Sequence, residues 1–318
     1  MCIQVRRRAA RPDAIRFRVA QNFELDPARQ ENEFELKQMV GAGVAPWLRM
    51  EAIYERPGDY DLEHEGDDED VSFYVGLLDR WRPRRVMELA SGSGRVTIPL
   101  ARAAASSGSE VVGLERQGPM LVEACRKRAG LDDRARARVS FIAGDMRDWR
   151  SPEPFDLVIA PCSSLSHLLT VEDQVRAWRC TFDNLAPGGR FVADLTMPNL
   201  AAYADSMQTP PRTLVEVDVD AKDPTTGTRL LRYKTTRYLP HEQRAEIRFM
   251  YDRFPDGDQV DRYVSDFDCH VYYPRELELL FMLTGFSIEA RFGDYVMRPL
   301  RRTSRQLIIV GRKAVNRP

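Results

Sequence analysis

The chain has 318 residues, 43% of them hydrophobic and 30% charged, with a formal net charge of −1. Those proportions describe a globular protein with enough apolar mass for a core, in one large or two modest domains. The balanced charge excludes a whole-molecule attraction to nucleic acid or anionic membrane, and no apolar run is long enough to cross a bilayer.

Arginine far outnumbers lysine, which occurs only at Lys37, Lys127, Lys222, Lys234 and Lys313, a bias that fits a GC-rich bacterial gene. The five cysteines, Cys2, Cys125, Cys162, Cys180 and Cys269, are scattered and form no C-x-x-C pair. That argues against a disulfide framework and against a metal site. Without the apolar stretch of a secretory signal, the expected location is the cytoplasm. The arginine-rich stretch Arg6 to Arg18 reads as a solvated tail, with a transit peptide or a nucleic-acid arm as the alternatives.

Residues 1–58 read as an irregular N-terminal extension with one helical stretch near Asn32 to Val40. Gly66 to Trp81 opens on Asp67, Asp68, Glu69 and Asp70 and continues with Phe73, Tyr74, Leu77 and Leu78. This is an acidic helix start followed by an apolar face at helical spacing. Within 59–211, strands are predicted at Val86 to Leu89, Glu110 to Leu114, Val139 to Ile142, Phe155 to Ala160 and Arg190 to Asp194. Helices alternate with them at Arg95 to Ala105, Pro119 to Ala129 and Glu172 to Leu185. The alternation predicts an α/β fold: a Rossmann-like, doubly wound, mostly parallel sheet.

Residues 212–273 break the rhythm. Val215, Val217 and Val219 alternate with Glu216, Asp218 and Asp220, and turn signals fall at Asp223 to Gly227, Pro240–His241 and Pro255 to Gly257. The pattern predicts an antiparallel β insertion of about four strands, serving as a lid or a dimerisation surface. Over 274–318 the α/β rhythm resumes, with a helix at Pro274 to Thr284 and strands at Phe286 to Phe292 and Gln306 to Gly311.

The strongest motif is Glu88-Leu-Ala-Ser-Gly92-Ser-Gly94-Arg95, after a strand and before a helix. Glycine at 92 and 94 allows positive φ and lets a ligand lie against backbone whose helical N–H groups face it. A nicotinamide-binding fingerprint would want a third glycine where Thr97 stands. Glu115, ending the second strand, is placed to accept both hydroxyls of a ribose. Gly144-Asp145-Met146 follows the third strand; Asp145 suits an exocyclic adenine amine and Met146 the ring.

In this order the elements resemble the class I S-adenosylmethionine-dependent methyltransferases, over roughly Tyr60 to Lys313. Ala90 stands where that family usually has its first glycine. The resemblance implies S-adenosyl-L-methionine as cofactor. It assigns the methionine amino group to the Glu88–Gly94 loop, the ribose to Glu115, and the adenine to Asp145 and Met146. Ala90, Arg95, Met120 and Pro161 lie along the same ligand in this reading. It also implies a last strand antiparallel to the others. Tyr60-Asp-Leu, Ser163-Ser-Leu-Ser-His167-Leu and the insertion resemble a small-molecule subgroup of amino-sugar N,N-dimethyltransferases and glycine-type N-methyltransferases, in which a tyrosine matching Tyr60 closes over the cofactor.

The expected reaction is methyl transfer to a nitrogen or oxygen of a small molecule, in secondary-metabolite biosynthesis; C-methylation or nucleic-acid methylation is the alternative. His167 is the first candidate general base, with a pKa suited to the role, or else a helix-start histidine making structural hydrogen bonds. Tyr272 and Tyr295 line the acceptor pocket or are core aromatics. Ala-Pro161-Cys162-Ser resembles a motif of RNA cytosine-C5 enzymes, but their second cysteine is missing at Asp194-Leu-Thr-Met. A nicotinamide oxidoreductase and a non-catalytic cofactor-binding protein are the other rivals. The expected partner is a small-molecule methyl acceptor, with a homodimer as a further reading.

Overall fold

The computed structural model of the chain describes residues 52–66, 68–208, 212–255 and 259–315. The helical stretch near Asn32 to Val40, the arginine-rich tail, Asp67, and the Asp256–Gly257 part of one turn signal lie outside them.

A seven-stranded sheet forms the centre. Its strands are β1 (Arg85–Leu89), β2 (Glu110–Glu115), β3 (Val139–Ala143), β4 (Phe155–Ala160), β5 (Leu185–Thr196), β10 (Phe286–Phe292) and β11 (Gln306–Lys313). Their order is β10-β11-β5-β4-β1-β2-β3. All neighbouring pairs are parallel except those of β11, which runs antiparallel to both β5 and β10. The predicted α/β class and the reversed last strand are therefore both present.

The strand sequences read as near-continuous apolar runs because both faces of the sheet are covered. Met87, Leu89, Val158, Phe191, Leu307 and Ile309 pack into one core with Trp178 and Phe281. The intervening Val86, Leu157, Val192, Ile308 and Val310 pack into the other with Phe73, Leu77 and Leu100. A period of two thus divides each strand between two cores.

Helices α2 (Glu69–Trp81) and α3 (Thr97–Ser107) cover the second of these faces, and α4 (Gly118–Ala129) follows β2. Helices α5 (Val171–Asn184) and α6 (Pro274–Leu283) cover the first. Ahead of them runs helix α1 (Pro57–Glu63), preceded by a 3₁₀ turn at Ala52–Glu55. Sequence patterning missed this pair. The helix is one Pro-initiated segment too short to show a period.

The insertion is a second sheet of four antiparallel strands, β6 (Glu216–Lys222), β7 (Arg229–Leu239), β8 (Arg244–Phe254) and β9 (Asp261–His270), in that order. Opposite charges face each other across its register, as in Asp252↔Arg262, Arg248↔Asp266 and Arg237↔Glu246. Such cross-strand pairs fix register, and the exposed ones, Arg248–Asp266 and Arg237–Glu246, stabilise by only roughly 0.2–1 kcal/mol each. On one face Leu230 and Tyr251 form an apolar cluster with Ile53, Tyr54, Tyr60 and Leu62.

Two glycines with opposite roles test this packing. A Cβ on Gly311 of β11 would stand 2.3 Å from Phe281 and 3.2 Å from Phe286, whereas one on Gly76, on the exposed side of helix α2, meets nothing within 4 Å. Gly311→Ala is expected to lower stability by about 1–3 kcal/mol. Gly76→Ala should raise it by about 0.5–1 kcal/mol. Urea midpoints of the two variants will show whether the signs differ.

Candidate cofactor and acceptor site

Strand order reverses between β1 and its neighbours β2 and β4, the switch point where open α/β sheets hold ligands at the carboxyl ends of their strands. A cleft of about 140 Å³ opens there. Eleven of the residues singled out from sequence border it: Tyr60, Glu88, Ala90, Gly92, Arg95, Glu115, Met120, Asp145, Met146, Pro161 and His167.

The glycine loop makes the floor. Ala90, Gly92 and Gly94 take φ of 53°, 56° and 81°. A Cβ on Gly92 would meet nothing within 4 Å, so bare backbone faces the cleft. Gly94 corrects its expected role: a Cβ there would stand 3.1 Å from Phe141 and 3.2 Å from Ile98. That glycine lets the loop settle on β3 and α3 and does not border the cleft.

Hydrogen bonds hold the loop over the end of β2. Ser91 N donates to Leu114 O at 3.0 Å and Gly92 N to Glu115 Oε2 at 2.8 Å. Glu115 Oε1 accepts from Arg116 N at 2.8 Å and Gln117 N at 2.6 Å. A carboxylate offers about four acceptor positions. Three are taken by these N–H groups, which leaves Oε2 with capacity for a further hydrogen bond. Burial raises its pKa above the usual carboxylate value, against the pull of these N–H donors.

Glu88, also buried, accepts a hydrogen bond from Thr97 Oγ1. Thr97, read from sequence only as a missing glycine, is thus the partner of the motif's acid. Burial pushes the Glu88 carboxyl up to about 8 despite that hydrogen bond. Asp145 is gripped by Arg147, whose Nε lies 2.9 Å from Oδ1 and whose Nη2 lies 2.7 Å from Oδ2. Burial opposes ionisation of Asp145, but the arginine outweighs it and the carboxyl stays below its ordinary value. Oδ2 keeps room for one amine hydrogen.

These residues fit a polar nucleoside-like ligand such as S-adenosyl-L-methionine. Ser91 and Ser164 border the cleft, and their hydroxyls are buried with no partner among the described residues. Leu114, Met120 and Met146 add an apolar wall for a base.

A second, larger chamber of about 850 Å³ adjoins the first. Tyr54, Tyr60, Arg95, Cys162 and His167 border both. Its outer walls come from the insertion, through Arg232, Phe249 and Phe267, and from the β10–β11 connection, including Tyr295 and Arg301. Arg95 makes a bidentate pair with Asp70, with Nη1 at 3.0 Å from Oδ1. Burial works against the Asp70 charge, and the guanidinium more than offsets it.

His167 ends a 3₁₀ turn, Ser164–His167, and its Nε2 lies 3.0 Å from Tyr54 Oη. The pKa near neutrality anticipated for it is corrected: burial, helped by the charge of Arg116, lowers the imidazole to about 4. Tyr295 borders the second chamber and donates to Asp194 Oδ2 at 3.1 Å, a carboxyl that burial raises to about 6. Tyr272 does not belong to the site. It is 2% exposed, donates to Leu165 O at 3.2 Å and packs on Trp178. Apolar packing on α5 draws this aromatic into the core.

Residues 86–189 match a family described as "Methyltransferase domain". No curated protein matches the sequence. Among solved structures, the CcbJ methyltransferase from Streptomyces caelestis shares the fold with a TM-score of 0.62 and 23% identity, over 78% of this chain and 96% of that one. The sugar N-methyltransferase KedS8 from Streptoalloteichus sp. aligns with a TM-score of 0.61 and 16% identity, over 86% and 98%. CalS10, an amino pentose methyltransferase from Micromonospora echinaspora solved with S-adenosylmethionine bound, gives 0.59 and 18%, over 82% and 97%.

Two outcomes are expected of the cleft. Gly92→Val should lose S-adenosylhomocysteine binding by more than about a hundredfold in calorimetry while remaining folded by circular dichroism, because its branch enters open ligand space. Glu88 has a raised folded-state pKa, so its stabilising effect is full below the ordinary 4.5 and is lost as pH climbs towards 8. Between pH 6.5 and 8, above the ranges of His167 and Asp194, the melting temperature of the ligand-free protein should fall, and less so in Glu88→Gln.

Proposed function

We propose that this chain, a class I S-adenosylmethionine-dependent methyltransferase whose methyltransferase domain spans residues 86–189, methylates an amino nitrogen of a small polar molecule of the amino-sugar type. The observation that carries this reading is the pair of adjoining chambers sharing Tyr54, Tyr60, Arg95, Cys162 and His167. One fits a nucleoside-like ligand, and the other is roomy, polar and walled by aromatics. The structures of KedS8 and CalS10, named for sugar and amino-pentose methylation, support the same acceptor class. CalS10 serves calicheamicin biosynthesis, and tailoring of a natural product is the setting proposed here too.

Bound S-adenosylmethionine supplies an activated methyl group, leaving the protein to bind, align and exclude water. Alignment of the kind the shared wall provides contributes about 7–11 kcal/mol in well-oriented reactions. Tyr60 and Arg95 shape the junction, with Arg95 fixed by Asp70. His167, neutral at physiological pH, orients an acceptor N–H by hydrogen bonding rather than storing a proton. The proton released by the amine leaves through the open second chamber. Glu115 and Asp145 hold the ribose and adenine ends, and the Glu88–Gly94 loop the amino-acid end.

Amino sugars and their hydroxyl isosteres, each incubated with methyl-labelled cofactor, test the class. The amines should acquire label with stoichiometric release of S-adenosylhomocysteine, and equal labelling of the hydroxyl isosteres would reject the nitrogen preference. His167→Ala should lower kcat by about tenfold, the worth of one lost hydrogen bond, with cofactor affinity little changed. An unaltered kcat would remove His167 from the reaction.

A further inference from the structure

Helix α1 is tied in two directions, and the ties differ in kind. Towards the antiparallel sheet they are buried. Glu63 Oε2 lies 2.8 Å from Tyr251 Oη and 2.9 Å from Arg232 Nη1, with the Glu63 side chain only 3% exposed. Asp59 accepts from Tyr263 Oη at 3.0 Å and pairs with Arg253 at 3.2 Å. The apolar side of the strap, residues 52–63, joins the core of that same sheet.

Towards the glycine loop the tie runs through a buried Ser93, and its two charged members are partly open to water. Asp61 Oδ1 accepts from Ser93 Oγ at 2.5 Å, and Asp61 Oδ2 lies 2.6 Å from Lys127 Nζ. Lys127 Nζ also donates to Ser93 Oγ at 3.2 Å. The side chains of Lys127 and Asp61 are 24% and 27% exposed. Ser93 stands between Gly92, whose bare backbone faces the cleft, and Gly94. Tyr60, next to Asp61, borders both chambers.

We propose that Asp61 is a positioning residue that latches the strap and its antiparallel sheet over the glycine loop, and that cofactor exchange proceeds by opening this latch. Separating the partly exposed Asp61–Lys127 pair lets water solvate both charges, whereas stripping Glu63 of its partners leaves a buried carboxylate uncompensated. The weaker charged seam therefore lies between α1 and the loop, and the insertion acts as a lid carrying the strap with it, the Tyr54–His167 hydrogen bond parting in the same motion. This inference rests on the cofactor reading of the cleft. It adds to that reading a function for Asp61, Ser93 and Lys127.

Stopped-flow dissociation of S-adenosylhomocysteine from the full-length protein tests it, in Asp61→Asn, Lys127→Met and the double variant. Each single change should raise the off-rate about tenfold, the effect of losing one charge-assisted hydrogen bond. The double variant should go no further, because one broken latch is already open. Off-rates within twofold of wild type, or a double effect equal to the product of the singles, would overturn the proposal. Hydrogen exchange of the ligand-free protein supplies a readout independent of the cofactor: Asp61→Asn should speed exchange in 57–63 several-fold and leave β7 and β8 unchanged. If the wild type binds no S-adenosylhomocysteine, the cofactor reading fails. Exchange then decides the latch alone, and unchanged protection of 57–63 refutes it.

Discussion

The cleft depends on one hydrogen bond, from the Gly92 N–H to the Glu115 carboxylate. It joins the loop after β1 to the end of β2 and fixes the height of the glycine loop above the sheet. Both residues also border the cleft. Glu115 sits buried among three backbone donors, which compensate most of the cost of holding a carboxylate out of water. The same donors leave it an acceptor pointed at the cleft. Everything nearer the second chamber, including the Arg95–Asp70 pair, is arranged around a loop already set by this bond.

Around that point four more acids fall into two kinds. Asp70 and Asp145 stay ionised because each has an arginine in bidentate contact. Glu88 and Asp194 have hydroxyl partners and no arginine in bidentate contact, and burial raises them. Charge is thus concentrated where a guanidinium already balances it, and the mouth of the sheet holds acids without accumulating repulsion. Glu88 is the group most exposed to change when a cation arrives beside it.

The sheet was legible in the sequence because both of its faces are covered, which turns each strand into an unbroken apolar word. Strands such as Val86 to Leu89 and Phe155 to Ala160 were therefore placed within a residue or so. The glycine loop and the acid at Glu115 were legible because their chemistry depends on position along the chain. What stayed hidden depends on contacts between distant segments. Nothing in Glu69-Asp70-Val71 tells that Asp70 will reach Arg95, or that Arg147 will occupy the carboxylate assigned to adenine. The acidic run at Glu69 and Asp70 signalled a helix start and concealed a site residue. Tyr272 and Tyr295 looked equivalent beside turns; packing against Trp178 took one into the core and left the other on the chamber wall. His167 was found by its place after β4, while its lowered pKa is a property of burial that no spacing reveals.

Ala90, Cys162 and Ser163 are side-chain-bearing residues on left-handed backbone, with φ of 53°, 52° and 56°. Such a conformation costs an L-residue about 1–2 kcal/mol relative to the right-handed one. All three sit at the carboxyl ends of β1 and β4, the two strands that flank the switch point. The rim is thus under tension that the buried sheet beneath it sustains, while the rest of each strand is relaxed. A consequence follows for how this fold diversifies. Residues at the rim can be exchanged to recognise new molecules without touching either core, provided the strands below remain stable enough to hold the bend.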